Sequence, residues 1–373
     1  MRSRVAVKLL LHDRSTTAGA ILGVIAIVFL VGQQYSVLFG LFNFMSALVD
    51  HSGADIWICS QNTNNINSSG LLPIRYIDRI IGLPGVEWAE PVISGGGSVK
   101  RKDGQSQPVQ VVGLPRPALP GGPWRFNQGS LEVLLDYEGI TIDKLDLRNF
   151  GDPAIGDIIE VNEKRVRIAG LTQNVRGFQG TLVYTNIRKA REITNLPADR
   201  CSFILVKVKP GISVASAILG IKQILPKAEA FSSKELSRNT RTYYVVNTGI
   251  GSSIGFSVLV GALVGIVIIT LTMYTAVLNR QKDFAVLRAI GGRRGDILII
   301  VIFQTLFIVL AGMFLGFLLL AGFLSGVRET NLPTGVIPMV VYIHAILTLI
   351  FSFAGSLFAM RRAVRVEPAS VFR

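Results

Sequence analysis

The sequence is short of the residues that catalysis and metal binding most often use. It has two cysteines and three histidines among 373 residues. His12, His51 and His344 are scattered along the chain, so they form no Cys/His cluster with metal-ligand spacing. No Gly-x-x-x-x-Gly-Lys-Ser/Thr loop is present to cradle phosphates, and no His-Glu-x-x-His pair to hold zinc. These absences exclude an ATPase and a zinc protease of the usual kinds. Charge is missing too, in blocks. Residues 15–49, 242–279 and 297–327 contain no Asp, Glu, Lys or Arg. Uncharged runs of that length are transmembrane in character. The overall 50% hydrophobic content would not decide the matter, since soluble domains reach about 45–50% as well.

The charges that are present fall where a membrane protein needs them. The net charge is +14, but most of it lies in the three short segments 2–14, 280–296 and 361–373. That is the pattern of topology and of anionic headgroups. No nucleic-acid recognition motif accompanies it, so nucleic acid is not expected as a partner. Charged segments between apolar spans must lie in water or among headgroups. The Lys/Arg excess places the segment 280–296 on the cytoplasmic side, together with both ends of the chain.

The chain then divides as follows. Residues 1–14 are a basic N-terminal segment. Arg4, Lys8 and His12 at i, i+4, i+8 suit an amphipathic helix in the inner headgroup plane; a floppy positive N-terminus is the alternative. Residues 15–49 are the first span. The run is too long for the apolar part of a signal peptide and reads as uncleaved. At ~1.5 Å per residue it reaches ~50 Å as a helix, against ~30 Å of hydrocarbon. The excess reads as a stalk. Residues 242–279 repeat the design, as stalk and second span. Residues 297–324 are the third span and 325–338 a short outer loop, where Pro333 and Pro338 argue against helix. Residues 339–360 are the fourth span and 361–373 a basic tail. The expected fold is a membrane protein with four transmembrane α-helices and a large α+β extracytoplasmic domain, residues 50–241, inserted between helices 1 and 2.

That domain reads as soluble. Gln107–Gly113, Arg165–Ala169 and Phe203–Val208 alternate as strands do. Asp103-Gly104 and Asn162-Glu163 mark hairpin turns. Pro73–Ile81, Asn186–Thr194 and Val214–Leu225 read as helices. Gln61–Gly70 is a polar loop, mobile or a partner contact, and the run from Leu114 to about Phe150 suggests a second lobe. Cys59 and Cys201 both fall here. An oxidising compartment would let them pair, but two buried free thiols fit the sequence equally. Gly pairs at i, i+4 recur in the spans (Gly19/Gly23, Gly251/Gly255, Gly261/Gly265, Gly312/Gly316, Gly322/Gly326), as close helix packing requires. They point to a tightly packed helix bundle between two copies.

The most informative stretch is Arg280 to Asp296, RQKDFAVLRAIGGRRGD. Phe284, Leu287, Arg288 and Gly291 fall at i, i+3, i+4, i+7 and share one face of a short helix. Gly291 and Gly292 follow where a C-cap is expected. Such a helix suits docking on another protein; an interfacial helix lying on the membrane is the alternative. RQKDFAVLRAIGGRRGDIL resembles the cytoplasmic loop of permeases in the MacB/FtsX family of ABC systems. Asp283 stands where the family usually has Glu, and Gly292 where it has Ala. The tail MRRAVRVEPASVFR resembles the family's ending, and ADIWICS followed by GVEWAEPVI resembles the opening of its outer domain. The stretches GDIIEVNEKRVRIAGL and RGFQGTLVYT look like the outer domains of DevC-type exporter permeases.

The resemblance implies a permease subunit of the cell inner membrane, multi-pass, with its large domain periplasmic. It implies that ATP and Mg are bound by a separate ABC ATPase and that this chain holds no cofactor. It implies a homodimer, a periplasmic adaptor (membrane fusion protein) and an outer-membrane duct as partners, with a lipid, lipoprotein, peptide or drug as cargo. Asp283, Phe284, Leu287 and Arg288 are the expected ATPase contacts, with Gly291 shaping the turn. Two other readings stay open. Some relatives transport nothing and switch on cell-wall hydrolases outside the cell. A membrane-anchored receptor would leave residues 280–296 as a mere connection.

Overall fold

The structure, a computed structural model, describes residues 14–68, 70–101, 104–279, 281–327, 330 and 332–364, without the side chains of 281, 288, 294, 358–360 and 362–364. The N-terminal amphipathic segment, Asp103 of the first hairpin turn and most of the basic tail lie outside them. The chain forms two compact units. One comprises residues 1–40, 251–328 and 332–373, and the other residues 41–250 with 329–331.

The first unit is a helix bundle. Among the described residues, four helices are long and apolar enough to cross a membrane: Arg14–Met45, Ile250–Asn279, Arg294–Gly326 and Pro338–Val364. They are called here the first to fourth spans. Val24, Ile27 and Val28 of the first span meet Ile269, Met273 and Val277 of the second and Ile300, Val301, Ile308 and Val309 of the third in one core. Leu349 and Phe353 of the fourth pack against it. Glycine sets the spacing. A Cβ at Gly312 would come within 2.5 Å of Val24 Cβ, and one at Gly265 would overlap Ile27. Lipid tails are as apolar as these side chains, so such close packing, in place of hydrophobic exclusion, holds spans together. The pairs Gly19/Gly23, Gly261/Gly265 and Gly312/Gly316 therefore serve contacts inside this chain, whereas Gly255, Gly322 and Gly326 face open space.

Two expectations for the spans are corrected. Pro338 does not bar helix; it opens the fourth span, at the first helical position, where its missing N–H costs nothing. The run 242–279 is not one continuous stalk and span. A helix over Ser233–Asn247 ends there, and the second span starts at Ile250. Gly249, with φ of +77°, makes the break. His344 lies buried in the bundle, its Nε2 3.1 Å from the Val28 carbonyl oxygen and its ring edge-on to Tyr35 and Phe317.

The second unit is built on a largely antiparallel sheet. Ala228–Ser232, Ile56–Ser60, Phe203–Val208 and Val86–Lys100 lie side by side in that order. The 15-residue strand Val86–Lys100 then carries the sheet on to Ser106–Leu114, Gly180–Asn186, Gly139–Asp143, Lys164–Thr172 and Phe126–Gln128. Two of these pairings are parallel, Gly180–Asn186 with Ser106–Leu114 and Gly139–Asp143 with Lys164–Thr172. Alternation sorts the side chains to two faces. On Ile56–Ser60, Trp57 and Cys59 enter one core, while Ile56 and Ile58 enter another. Asn162 and Glu163 both have positive φ and close the hairpin between Ile158–Val161 and Lys164–Thr172, as a two-residue turn demands.

Three sequence expectations change here, and one left open is decided. The run from 114 to about 150 is no separate lobe: its strands join the sheet, and Leu119 and Leu134 share a core with Trp57 and Tyr184. Only Tyr76–Ile81 of the stretch 73–81 is helix, because Leu72–Pro73 pairs with Arg200–Cys201. The described part of the polar loop 61–70 is anchored. Ile66 N–H donates to Thr240 Oγ1 at 3.1 Å and Asn67 Nδ2 to Tyr244 Oη at 3.1 Å. Cys59 and Cys201 are free thiols, buried in two different cores. Burial pushes the Cys201 thiol up to about 12 and the Cys59 thiol upward as well, with Glu229 adding to the latter. Neither is poised to react.

Candidate functional site

Between the second and third spans lies a nine-residue helix, Gln281–Ala289. Its end is set by glycine. Gly291 has φ of +96°, and Gly292 N–H donates to the Leu287 carbonyl at 2.9 Å. That is the longer bond of a Schellman motif, with Gly291 at the left-handed position. A side chain at residue 291 would meet no neighbour; the backbone alone demands glycine there. The third span begins at once. Arg293 N–H donates to Asp296 Oδ2 at 2.8 Å, so the carboxylate of the first turn closes the helix start. The segment is thus a short helix, a fixed turn and a capped span.

The faces of this helix are divided sharply. Phe284 is 2% exposed and Ala285 is fully buried, both in the same core as Val277, Ile297, Ile300 and Val301. Leu287 is half-buried against that core. The other side carries Lys282 and Asp283, both exposed, then Val286 at 47% and Ile290 at 76% exposure. The structure therefore places the candidate contacts in different surroundings. Asp283 faces outward and Gly291 makes the turn. Phe284 anchors the helix to the bundle and offers no surface to a partner. Leu287 is divided between the two. The Arg288 side chain lies outside the described residues. Val286 and Ile290, four apart on the open face, are the apolar pair that the sequence pattern passed over. A helix with apolar residues on two sides gives no periodic signal for which side goes in.

Elsewhere the described residues hold little chemistry. They contain no group of three or more His, Cys, Asp and Glu able to hold a metal. Gly251–Gly255 spells Gly-x-Ser-x-Gly, but it lies within the second span and not on a strand-to-helix elbow, so it is no nucleophile site. His51 stacks on Trp124 at 4.2 Å, and burial holds its pKa below the ordinary histidine value. The buried Asp146 takes a two-pronged contact from Arg176, at 3.1 Å from Nε and 2.6 Å from Nη2. Arg176 also lies over the Phe44 ring. This cluster ties strands and loops together.

Comparison with known proteins covers both units. Residues 16–224 match the family model of the MacB-like periplasmic core domain, and residues 255–368 that of the FtsX-like permease C-terminal region. An uncharacterized ABC transporter permease of Methanocaldococcus jannaschii is 30% identical over 172 residues, which are 44% of this chain and 42% of that protein. This chain thus aligns with less than half the length of that relative. An uncharacterized ABC transporter permease of Mycobacterium tuberculosis is 24% identical over 87% of this chain and 86% of its own length. Among solved structures, the periplasmic region of MacB from Actinobacillus actinomycetemcomitans is similar at a TM-score of 0.39 and 14% identity, covering 50% of this chain and 92% of its own. The extracellular domain of YknZ, described as a noncanonic ABC-type transporter from Gram-positive bacteria, gives 0.36 and 10%, covering 48% and 100%.

Proposed function

The chain belongs to the MacB/FtsX-type family of ABC transporter permeases, and from that premise we propose that it is the membrane subunit through which a separate ATPase drives movement of the outer domain. The unit of residues 41–250 lies outside the inner membrane and both chain ends inside. The ATPase docks on the open face of Gln281–Ala289, through Val286 and Ile290 with Lys282 and Asp283 beside them. Two copies of the permease pair with two ATPase chains. The observation that carries this reading is the division of that helix: Phe284 and Ala285 locked into the bundle, Val286 and Ile290 bare. A helix held on one face and open on the other passes on a push received from its partner.

The apolar core shared by the spans favours force transmission over a hydrophilic pore. On this account ATP closes the ATPase pair, the short helix shifts, and the first and second spans carry the shift outward. The cargo is a lipid, lipoprotein, peptide or drug handed to a periplasmic adaptor and an outer-membrane duct. The same core fits a permease that activates a cell-wall hydrolase, and co-purification of a hydrolase in place of an adaptor would select that reading. The docking is tested by Val286→Asp with Ile290→Asp in membranes. The account expects ATPase association to fall at least tenfold while membrane insertion is unchanged. Full retention of the ATPase would remove the docking face.

A further inference from the structure

The helix Ser233–Asn247 carries Lys234, Arg238 and Arg241 at i, i+4 and i+7, on one side. Together with Phe42, Asp50 and Val245, among others, these cations line an open cavity of about 610 Å³. One of the three is already satisfied. Arg241 Nη2 donates to Asp50 Oδ2 at 2.6 Å and Arg241 Nε to Ser46 Oγ at 2.9 Å, and Ser46 Oγ donates to the same carboxylate oxygen at 2.7 Å. Lys234 and Arg238 are exposed, and among the described residues neither has an ion-pair or hydrogen-bond partner. The cavity therefore holds two uncompensated positive charges beside the apolar surface of Phe42 and Val245.

Helix stability does not account for this arrangement. Lys234 sits in the first turn, where the helix dipole disfavours a cation and favours an anion. A bound oxyanion would offset that penalty, since it would meet both side chains. Guanidinium and ammonium groups together are suited to phosphate. The position in the chain matters as well. Phe42 is near the end of the first apolar helix, and Val245 is five residues before the second begins. Along the chain, the cavity's residues thus come from the segments that adjoin two spans.

We propose that this cavity binds a phosphate oxyanion, held by Lys234 and Arg238, with any apolar part of the ligand lying along Phe42 and Val245. Two sources present that chemistry: the headgroup of an anionic phospholipid, and free phosphate. The site is independent of how the ATPase is engaged. Full-length protein in detergent is titrated with phosphatidylglycerol or phosphatidylcholine, read by native mass spectrometry, and with inorganic phosphate, read by calorimetry. Lys234→Gln with Arg238→Gln is compared with Lys222→Gln with Lys227→Gln, which removes the same charge from exposed positions elsewhere in the domain.

The first pair is expected to weaken binding at least tenfold and the second to leave it unchanged. Preference for phosphatidylglycerol without binding of inorganic phosphate identifies the lipid as the source; binding of inorganic phosphate at no lower affinity identifies the free anion. Equal affinity in the natural chain and the Lys234/Arg238 variant would overturn the site. An equal loss in both variants would overturn it too, since net charge alone would then explain the binding. Both altered residues are exposed, so unfolding temperatures should agree across all three proteins.

Discussion

Phe284 is the residue on which the short helix depends, and Phe284→Ala is the perturbation that isolates it. In a water-soluble core such a truncation costs about 3–5 kcal/mol, from lost transfer energy and the cavity left behind. Here part of the transfer energy is retained, because a detached helix at the membrane surface can still lay the ring among the lipid headgroups. The packing part remains, about 2 kcal/mol, which is a factor of about 30 in the equilibrium between docked and detached helix. The readout is labelling of Ala285→Cys by a membrane-impermeant maleimide. Residue 285 is fully buried beside Phe284. Cys59 and Cys201 are buried free thiols, so their background is low. With Phe284 present, Ala285→Cys should label far more slowly than Ile290→Cys. With Phe284→Ala its rate should rise by about that factor of 30, and Phe284→Leu should restore much of the protection. If Ala285→Cys labels as fast as Ile290→Cys in the otherwise natural chain, the buried face has been misassigned and the reasoning fails.

Other consequences follow from packing and charge. Gly312→Leu forces Val24 aside and should cost about 1–3 kcal/mol, seen as a lower unfolding temperature in detergent; Gly322→Leu meets open space and should leave that temperature unchanged. Asp146→Ala strands Arg176, whose side chain is 13% exposed, and should destabilise the protein by about 3–5 kcal/mol. Asp146→Asn keeps an acceptor and should cost less, which unfolding of the two variants side by side would check.

Much of this fold was legible because the signals were physical and local. Charge-free runs mark the spans, since no charge is tolerated in hydrocarbon. The Asn162-Glu163 turn, and the helix Ile187–Thr194 whose start Asn186 caps by accepting from Lys189 N–H, declare themselves through residues that suit turns and capping. What the sequence concealed depended on contacts made across the chain. Leu72–Pro73 becomes strand only because Arg200–Cys201 lies opposite, which shortens the helix before Ile81. The loop 61–70 looked loose until Thr240 and Tyr244 supplied its partners. Pro338 has the look of a breaker, although the first turn of a helix accepts it. At the short helix, pattern finds the element and its glycine turn but not which apolar set faces the bundle, because Phe284/Leu287 and Val286/Ile290 are both apolar sets at helical spacing. Only the position of the span ends decides between them.

The most direct measurement is cross-linking from single cysteines along Gln281–Ile290 to the ATPase with which the permease assembles. The account predicts that Val286→Cys and Ile290→Cys form cross-links whose yield changes when ATP is added, while Ala285→Cys forms none. Cross-links from residue 285 as strong as those from 290, or none from any position on the helix, would contradict it.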